Sequence, residues 1–201
     1  MLMATIQQAF AANEYPGDAF LQGSYDGCEP EDEVGPFRGQ RDWQALDPAW
    51  LDAHSTALSF FSVAGFRFFL PAYLLADLQG QLQIADPVFH LTHGLYEATV
   101  TLSTPERMIR RQIGAAALVN PRRYGAMTFA DLARYRLSAF TQEEAQALVA
   151  YLSYKRDTDA PGSRQSEIEA ALKTFWLERA RHAPTAQRLQ RHLEEERQYL
   201  E

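Results

Sequence analysis

The sequence of 201 residues contains one cysteine, Cys28, so no disulfide can form within the chain. Small secreted domains normally carry several cysteines, and their scarcity argues against a disulfide-stabilised scaffold. The first residues lack both a basic stretch and a long apolar run, so we find no secretory signal peptide. We therefore expect a cytoplasmic protein.

Motifs that commonly mark catalysis are also missing. The sequence contains no G-x-S-x-G motif, no phosphate-binding loop and no G-x-G-x-x-G motif. Acidic neighbours of Cys28 disfavour a reactive thiolate at that position. We therefore assign no catalytic residues and no cofactor, and the question of enzymatic activity stays open with a leaning towards none.

Basic residues are fewer than acidic ones, 19 against 26, which gives a formal net charge of −7. An acidic chain is repelled by nucleic-acid phosphates, so we expect no nucleic-acid partner. One local basic zone consists of Arg107, Arg110, Arg111, Arg122 and Arg123. We expect these arginines to pair with the surplus carboxylates of the chain.

A long apolar stretch, residues 57–78, contains most of the hydrophobic bulk. Arg67 lies near its centre, Pro71 interrupts it and Asp77 lies near its end. A central arginine costs about 2.5–3.5 kcal/mol on membrane-insertion scales, so we expect no membrane span. Apolar residues occupy every face of the predicted helix, which indicates that this helix is buried in the protein interior. Ser62 is its predicted N-cap, and Pro71 predicts either a kink or a late helix start.

The remaining patterns predict a mainly α fold, a single-domain helical bundle around this buried, proline-kinked helix. Helix starts are predicted at Asp47-Pro48, Thr104-Pro105, Thr128 and Thr141. Residues 23–39 read as a loop. Alternation at residues 82–84 and 98–102 allows one short β-hairpin, and an irregular meander is equally open. We divide the chain into a core helical domain, residues 1–160, and C-terminal helices, residues 161–201.

An acidic run within the predicted loop contains Glu31, Asp32 and Glu33. Exposed loops often carry function, so these carboxylates are candidates for binding a basic partner or calcium, although the D-x-D-x-D-G spacing of a calcium loop is missing. A solvated loop is the alternative. Trp43 is a further binding candidate. Arg67 is another, because a guanidinium in apolar surroundings requires a carboxylate or several carbonyl groups.

Two histidines, His90 and His93, form an H-x-x-H pair with Asp86 four residues before the first. Residues three apart share one face of a helix, and imidazole with carboxylate suits zinc or iron. A third or fourth ligand would have to come from a distant part of the chain. Asp86, His90 and His93 are therefore candidate metal ligands, with ordinary cap and loop residues as the alternative.

Several blocks of the sequence resemble an uncharacterised bacterial family of domains of unknown function. The most specific block is Phe-Arg-Phe-Phe-Leu-Pro-Ala-Tyr-Leu at residues 66–74, and the resemblance covers roughly residues 5–180. Relatives tend to start this helix with Ser-Pro-Glu-Ala, whereas here Val63, Ala64 and Gly65 follow Ser62. The missing carboxylate and the added glycine predict a looser helix start.

Three hypotheses for function follow. The first is a non-catalytic protein-binding module of the immunity or accessory type. The second is a metal-dependent enzyme that uses Asp86, His90 and His93. The third is a structural subunit that forms a homodimer through its last helix, residues 185–201.

Overall fold

A computed structural model of the chain describes residues 1–24, 27–95, 99–103, 108–112, 129–159 and 164–200. The chain is mainly helical, as predicted. The helices are α1 (Leu2–Phe10), α2 (Glu29–Val34), α3 (Pro48–Ala53), α4 (Ala57–Phe60), α5 (Val63–Leu78), α6 (Pro87–Thr92), α7 (Phe129–Leu137), α8 (Gln142–Thr158), α9 (Gln165–Ala171), α10 (Leu177–Arg181) and α11 (Ala186–Leu200). Two strands, β1 (Thr99–Ser103) and β2 (Met108–Gln112), pair antiparallel.

The chain groups into two compact units. The first unit comprises residues 1–90 and 193–201, and the second comprises residues 91–192. Helices α9 and α10 pack against α8 within the second unit, and the boundary at residue 160 stays a prediction. Among the residues that the structure describes, no helix combines the length and the hydrophobicity needed to cross a bilayer.

Helix α5 forms the centre of the first unit. Twelve of its sixteen residues are buried, which confirms the predicted interior helix. Its N-cap is Ser62, whose hydroxyl accepts a hydrogen bond from the backbone N–H of Gly65 over 2.9 Å. The predicted N-cap is therefore confirmed. The alternative of a late helix start is wrong, because the helix begins at Val63 and continues through Pro71.

Pro71 has no N–H group, so the carbonyl of Arg67 loses its usual helical donor. The side-chain amide of Asn13, which follows α1, donates a hydrogen bond to that carbonyl over 3.2 Å. A residue outside the helix thus satisfies the acceptor that the proline leaves open. This contact also joins the end of α1 to the middle of α5.

The first turn of α5 receives a carboxylate from the other end of the chain. Glu196 in α11 accepts hydrogen bonds from the backbone N–H groups of Val63, over 2.7 Å, and Ala64, over 3.2 Å. Glu196 is 5% exposed. Because the N-terminus of a helix carries partial positive charge and free donors, a buried carboxylate is well placed there. The looser helix start expected from the missing carboxylate and the added glycine stays a prediction.

A second chain segment crosses the start of α5 at close range. The N–H of Ser62 donates to the carbonyl of Leu21, and the N–H of Gly23 donates to the carbonyl of Phe60, both over 2.7 Å. A Cβ atom at Gly65 would lie 2.8 Å from the carbonyl oxygen of Leu21. The absence of a side chain at Gly65 is therefore a requirement of this crossing.

An aromatic cluster fills the space beside α5 in the first unit. The ring of Phe37 lies 4.6 Å from that of Trp50, 4.8 Å from that of Phe61 and 4.9 Å from that of Phe69, measured between centroids. Tilted and edge-on contacts of this kind stabilise beyond the area that they bury. The cluster links the segment after α2 to α3 and α5.

The second unit buries charged residues along with its apolar core. Thr141 and Glu144 form the predicted capping box at the start of α8, so that prediction is confirmed. Arg179 is fully buried and donates hydrogen bonds to the carbonyls of Ser138 and Phe140. Burial lowers the pKa of Arg179 to about 10, against the opposing charge of Glu144. The carbonyls provide the acceptors that a buried guanidinium requires.

One π-helical turn, Leu172–Trp176, lies between α9 and α10. Two of its side chains contact backbone carbonyls of residues 91–95, in the last turn of α6 and just beyond that helix. The indole N–H of Trp176 donates to the carbonyl of Leu91 over 2.8 Å. The hydroxyl of Thr174 lies 2.7 Å from the carbonyl of Leu95.

Three local predictions require correction. Residues 23–39 contain helix α2 and a short 3-10 turn at Gly35–Phe37, so the loop prediction is wrong there. Pro30 does not break α2, because it lies in the first turn, where a proline costs no helical hydrogen bond. Residues 108–112 form β2 instead of the helix predicted from Thr104. A hairpin is present, but its strands are 99–103 and 108–112, whereas residues 82–84, expected to supply the first strand, form no strand.

Candidate functional site

The acidic run that the sequence marks as a binding candidate lies on α2. Glu31 and Asp32 are exposed, and Glu33 is half-buried. Both carboxylate oxygens of Glu31 accept hydrogen bonds from the guanidinium of Arg38, over 2.5 and 2.7 Å. This hydrogen bonding lowers the pKa of Glu31. The ion pair with Arg38 holds the Glu31 carboxylate in one position, whereas the carboxylate of Asp32 is exposed to solvent.

Glu33 points towards the core side of the same helix. Its Oε2 atom is buried and accepts no hydrogen bond from the described part of the chain. Burial raises the pKa of the nearby Tyr73, and the negative charges of Glu33 and Asp52 raise it further. The hydroxyl of Tyr73 donates to the carbonyl of His54 over 2.8 Å. Tyr73 therefore stays protonated beside the two carboxylates.

The other two binding candidates are less exposed than the carboxylates of Glu31 and Asp32. Trp43 is 4% exposed, in a short 3-10 turn that Asp42 caps through the N–H of Gln44. Arg67 is half-buried in α5. Trp43 contributes packing in this position, and a binding role for either residue stays a prediction.

The three candidate metal ligands lie at α6. Asp86 accepts a hydrogen bond from the N–H of Phe89 over 2.9 Å, which is the geometry of a helix cap. His90 is half-buried with its ring 5.2 Å from that of Phe89, whereas His93 is exposed just beyond the helix. Across the described ranges, no three His, Cys, Asp or Glu side chains come together as a metal site. The metal site stays a prediction.

Charge is divided very unequally between the two units. The first unit contains 16 acidic and 4 basic residues, a net charge of −12, and the second contains 10 acidic and 15 basic residues, a net charge of +5. The overall value of −7 conceals this difference. A surface with so large an excess of one sign attracts partners of the opposite sign and accelerates their association. We take the acidic surface of the first unit as the candidate functional site.

A loop between α5 and α6 is held by three hydrogen bonds to one carboxylate. One carboxylate oxygen of Asp52 accepts from the backbone N–H groups of Gln83, over 3.0 Å, Ile84, over 2.8 Å, and Ala85, over 2.8 Å. Burial raises the pKa of Asp52, but the three donors outweigh burial, so that the pKa is lowered. The loop therefore has a defined backbone although it contains no regular secondary structure.

A hydroxyl and a carboxylate form a second fixed contact on the acidic unit. The hydroxyl of Tyr15 donates to Asp18, and the backbone N–H of Gly39 lies 3.0 Å from the Tyr15 oxygen and 2.9 Å from the Asp18 oxygen. Burial and the hydrogen bond to Asp18 raise the pKa of Tyr15 to about 12. The hydrogen bond from Tyr15 lowers the pKa of Asp18.

Comparison with known families assigns the chain. A family model matches residues 1–180, most of the sequence. The chain belongs to the family of unknown function DUF6714. The DUF6714 match confirms that the chain is a member of an uncharacterised family, and it ends before α11 begins. No curated protein matches the chain, and no solved structure matches it.

Sequence reasoning missed two features of this DUF6714 chain that the structure brings out. The charge division was visible in the sequence, because residues 1–90 contain 12 acidic and 3 basic residues. The fixed loop was not visible, because a lone aspartate, Asp52, gives no sign of which distant backbone groups it accepts from. Alternating residues at 82–84 suggested a strand, and their backbone donors bind Asp52 instead.

Proposed function

We propose that the chain is a cytoplasmic, non-catalytic binding module of the immunity or accessory type that holds a basic protein partner on its first unit. The observation that supports this proposal is the excess of acidic residues there, 16 against 4. Such an excess destabilises the folded unit through self-repulsion, and a cationic partner relieves that repulsion. A polyanion or an acidic partner would increase it.

Helix α2 is the part of the acidic surface best suited to this role. Glu29, Glu31 and Asp32 are exposed on it. The ion pair between Glu31 and Arg38 restrains the helix, and Pro30 in its first turn restrains the backbone. Restrained carboxylates lose less conformational entropy on binding than those of a flexible loop.

A retention experiment with two matched variants tests the proposal. Wild-type protein, Glu29→Gln/Asp32→Asn and the control Glu167→Gln/Glu169→Gln are coupled to resin and exposed to the same cell lysate. Each variant removes two exposed carboxylates, from the first and the second unit respectively. We expect wild type and control to retain the same basic proteins, which rising salt elutes, and the α2 variant to retain less than half as much. Equal retention by all three proteins, or retention of acidic proteins, would contradict the proposal.

A further inference from the structure

Two large apolar side chains are exposed on the stretch that begins with the fixed loop. Ile84 is 72% exposed and Phe89, in α6, is 39% exposed. The other exposed large apolar residues of the described ranges lie far from one another along the chain: Met1, Met108, Tyr154 and Leu177. An exposed pair on one short segment is a plausible contact surface, whereas scattered single residues need no explanation.

The backbone beneath both side chains is held by aspartates. Asp52 accepts from the N–H of Ile84 and of both its neighbours, and Asp86 accepts from the N–H of Phe89. A fixed backbone presents its side chains in one arrangement before a partner arrives. The ordering cost of binding is therefore smaller than it would be for a flexible loop.

The charge around this pair determines what kind of partner fits it. No lysine or arginine occurs between Arg67 and Arg107. Within that stretch the described charged side chains are Asp77 and Asp86, beside the imidazoles of His90 and His93, and Asp52 approaches from α3. Apolar side chains rimmed by carboxylates complement apolar side chains rimmed by lysine or arginine. A partner segment with acidic flanks would be repelled.

We propose that Ile84 and Phe89 form an apolar anchor for a basic amphipathic segment of a partner protein. The proposal rests on the proposed function, and it adds a hydrophobic contact to the electrostatic attraction. The apolar side chains of the partner cover Ile84 and Phe89, while its cationic side chains face the aspartates. Electrostatic attraction increases the association rate of the partner, and the apolar contact decreases its dissociation rate.

Three synthetic peptides of equal length separate the two contributions. The probes are an amphipathic Lys/Leu peptide, a Lys/Ser peptide of the same charge and a Glu/Leu peptide of the same apolar pattern. Binding to the full chain is measured by fluorescence anisotropy, and the contact is located by backbone amide shifts. We expect the Lys/Leu peptide to bind at least about tenfold more tightly than the Lys/Ser peptide, a difference of about 1.4 kcal/mol. We expect the amide shifts of that complex at residues 83–89.

Variants then connect the effect to the anchor. Ile84→Ser should abolish the advantage of the Lys/Leu peptide, and Asp52→Ala should reduce it because the loop backbone is released. Met108→Ser is the matched control, since Met108 is 75% exposed in the second unit, and it should change nothing. Circular dichroism verifies that each variant keeps its helical content.

Each other outcome overturns a defined part of the argument. Equal binding of the Lys/Leu and Lys/Ser peptides would remove the anchor and leave the proposed function standing. Absence of binding by both would contradict the proposed function itself. Equal binding of the Glu/Leu and Lys/Leu peptides would refute the charge argument. Self-association of the chain that Ile84→Ser abolishes would identify a second copy as the occupant and overturn the proposal.

Discussion

The side-chain amide of Asn13 donates a hydrogen bond to the carbonyl of Arg67 over 3.2 Å. In an uninterrupted helix the backbone N–H four residues later would serve this carbonyl. That residue is Pro71, which has no N–H. The contact therefore compensates for a defect that the helix sequence itself creates, and the compensation can be measured.

We expect Asn13→Ala to lower the free energy of unfolding by about 1–2 kcal/mol, because it leaves a partly buried carbonyl without a donor. In a Pro71→Ala background the residue at 71 regains its N–H, and the same Asn13→Ala change should cost less than about 0.5 kcal/mol. Urea denaturation of wild type, both single variants and the double variant gives the coupling energy. An equal cost of Asn13→Ala in both backgrounds would show that the amide does not replace the missing donor.

Helix α11 is expected to stabilise the first unit through one carboxylate. Glu196→Ala removes the carboxylate that accepts from the N–H groups of Val63 and Ala64, at a cost of about 2–4 kcal/mol for one buried and one partly buried donor. Urea denaturation measures the loss, and amide hydrogen exchange should accelerate at residues 63 and 64. The exposed Gln198 lies on the same helix, so Gln198→Ala is the control and should stay within about 0.5 kcal/mol of wild type. A loss of that small size for Glu196→Ala would contradict the assigned role.

How far the sequence predicts this fold depends on the distance over which a residue acts. Ser62 and Thr141 act within one helical turn, and both predicted caps are confirmed. Glu196 caps a helix that begins 133 residues earlier, and no local pattern indicates such a contact. The same limit applies to Asp52, because the backbone N–H groups that donate to its carboxylate lie in a loop about thirty residues later in the sequence.

Helix α2 and strand β2 show how one residue type supports opposite predictions. A proline inside residues 23–39 favours the loop that we predict there, whereas Pro30 lies in a first helical turn with Glu29, Glu31 and Asp32. Acidic side chains there interact favourably with the helix dipole. Pro105 was treated as a helix start, although proline is equally common in turns. The sequence around a proline thus leaves two interpretations open until tertiary contacts decide between them.

Substitution by alanine should change the stability of the fold in opposite directions at two glycines that have helical backbone angles. Gly65 lies inside α5, and Gly35 ends α2 with φ of −49°. In an open helix the change to alanine gains up to about 1 kcal/mol. A Cβ at Gly65 would lie 2.8 Å from the Leu21 carbonyl oxygen, whereas the nearest atom to a Cβ at Gly35 is a Glu31 side-chain oxygen 3.5 Å away, an ordinary van der Waals distance.

We therefore expect Gly65→Ala to destabilise the fold by about 1–3 kcal/mol through forced displacement of the crossing segment. We expect Gly35→Ala to be neutral or to stabilise the fold by about 0.4–1 kcal/mol. Thermal and urea denaturation of the two variants give the signs directly. Stabilisation by Gly65→Ala would mean that the crossing of the two backbones is looser than the structure indicates.

Tyr15 should confer stability that disappears at high pH. Its pKa is raised to about 12 by burial and by the hydrogen bond to Asp18, against about 10 in an unfolded chain. Because the folded pKa is the higher one, the contribution is fully present below pH 10 and is lost as the pH rises through 12. The difference in unfolding free energy between wild type and Tyr15→Phe should therefore shrink over that range.

Stopped-flow pH jumps read at 295 nm should show one tyrosine component, absent in Tyr15→Phe, with a midpoint near 12. Asp18→Asn should move that midpoint towards 10, and a midpoint already at 10 in the wild-type protein would refute the assigned hydrogen bond.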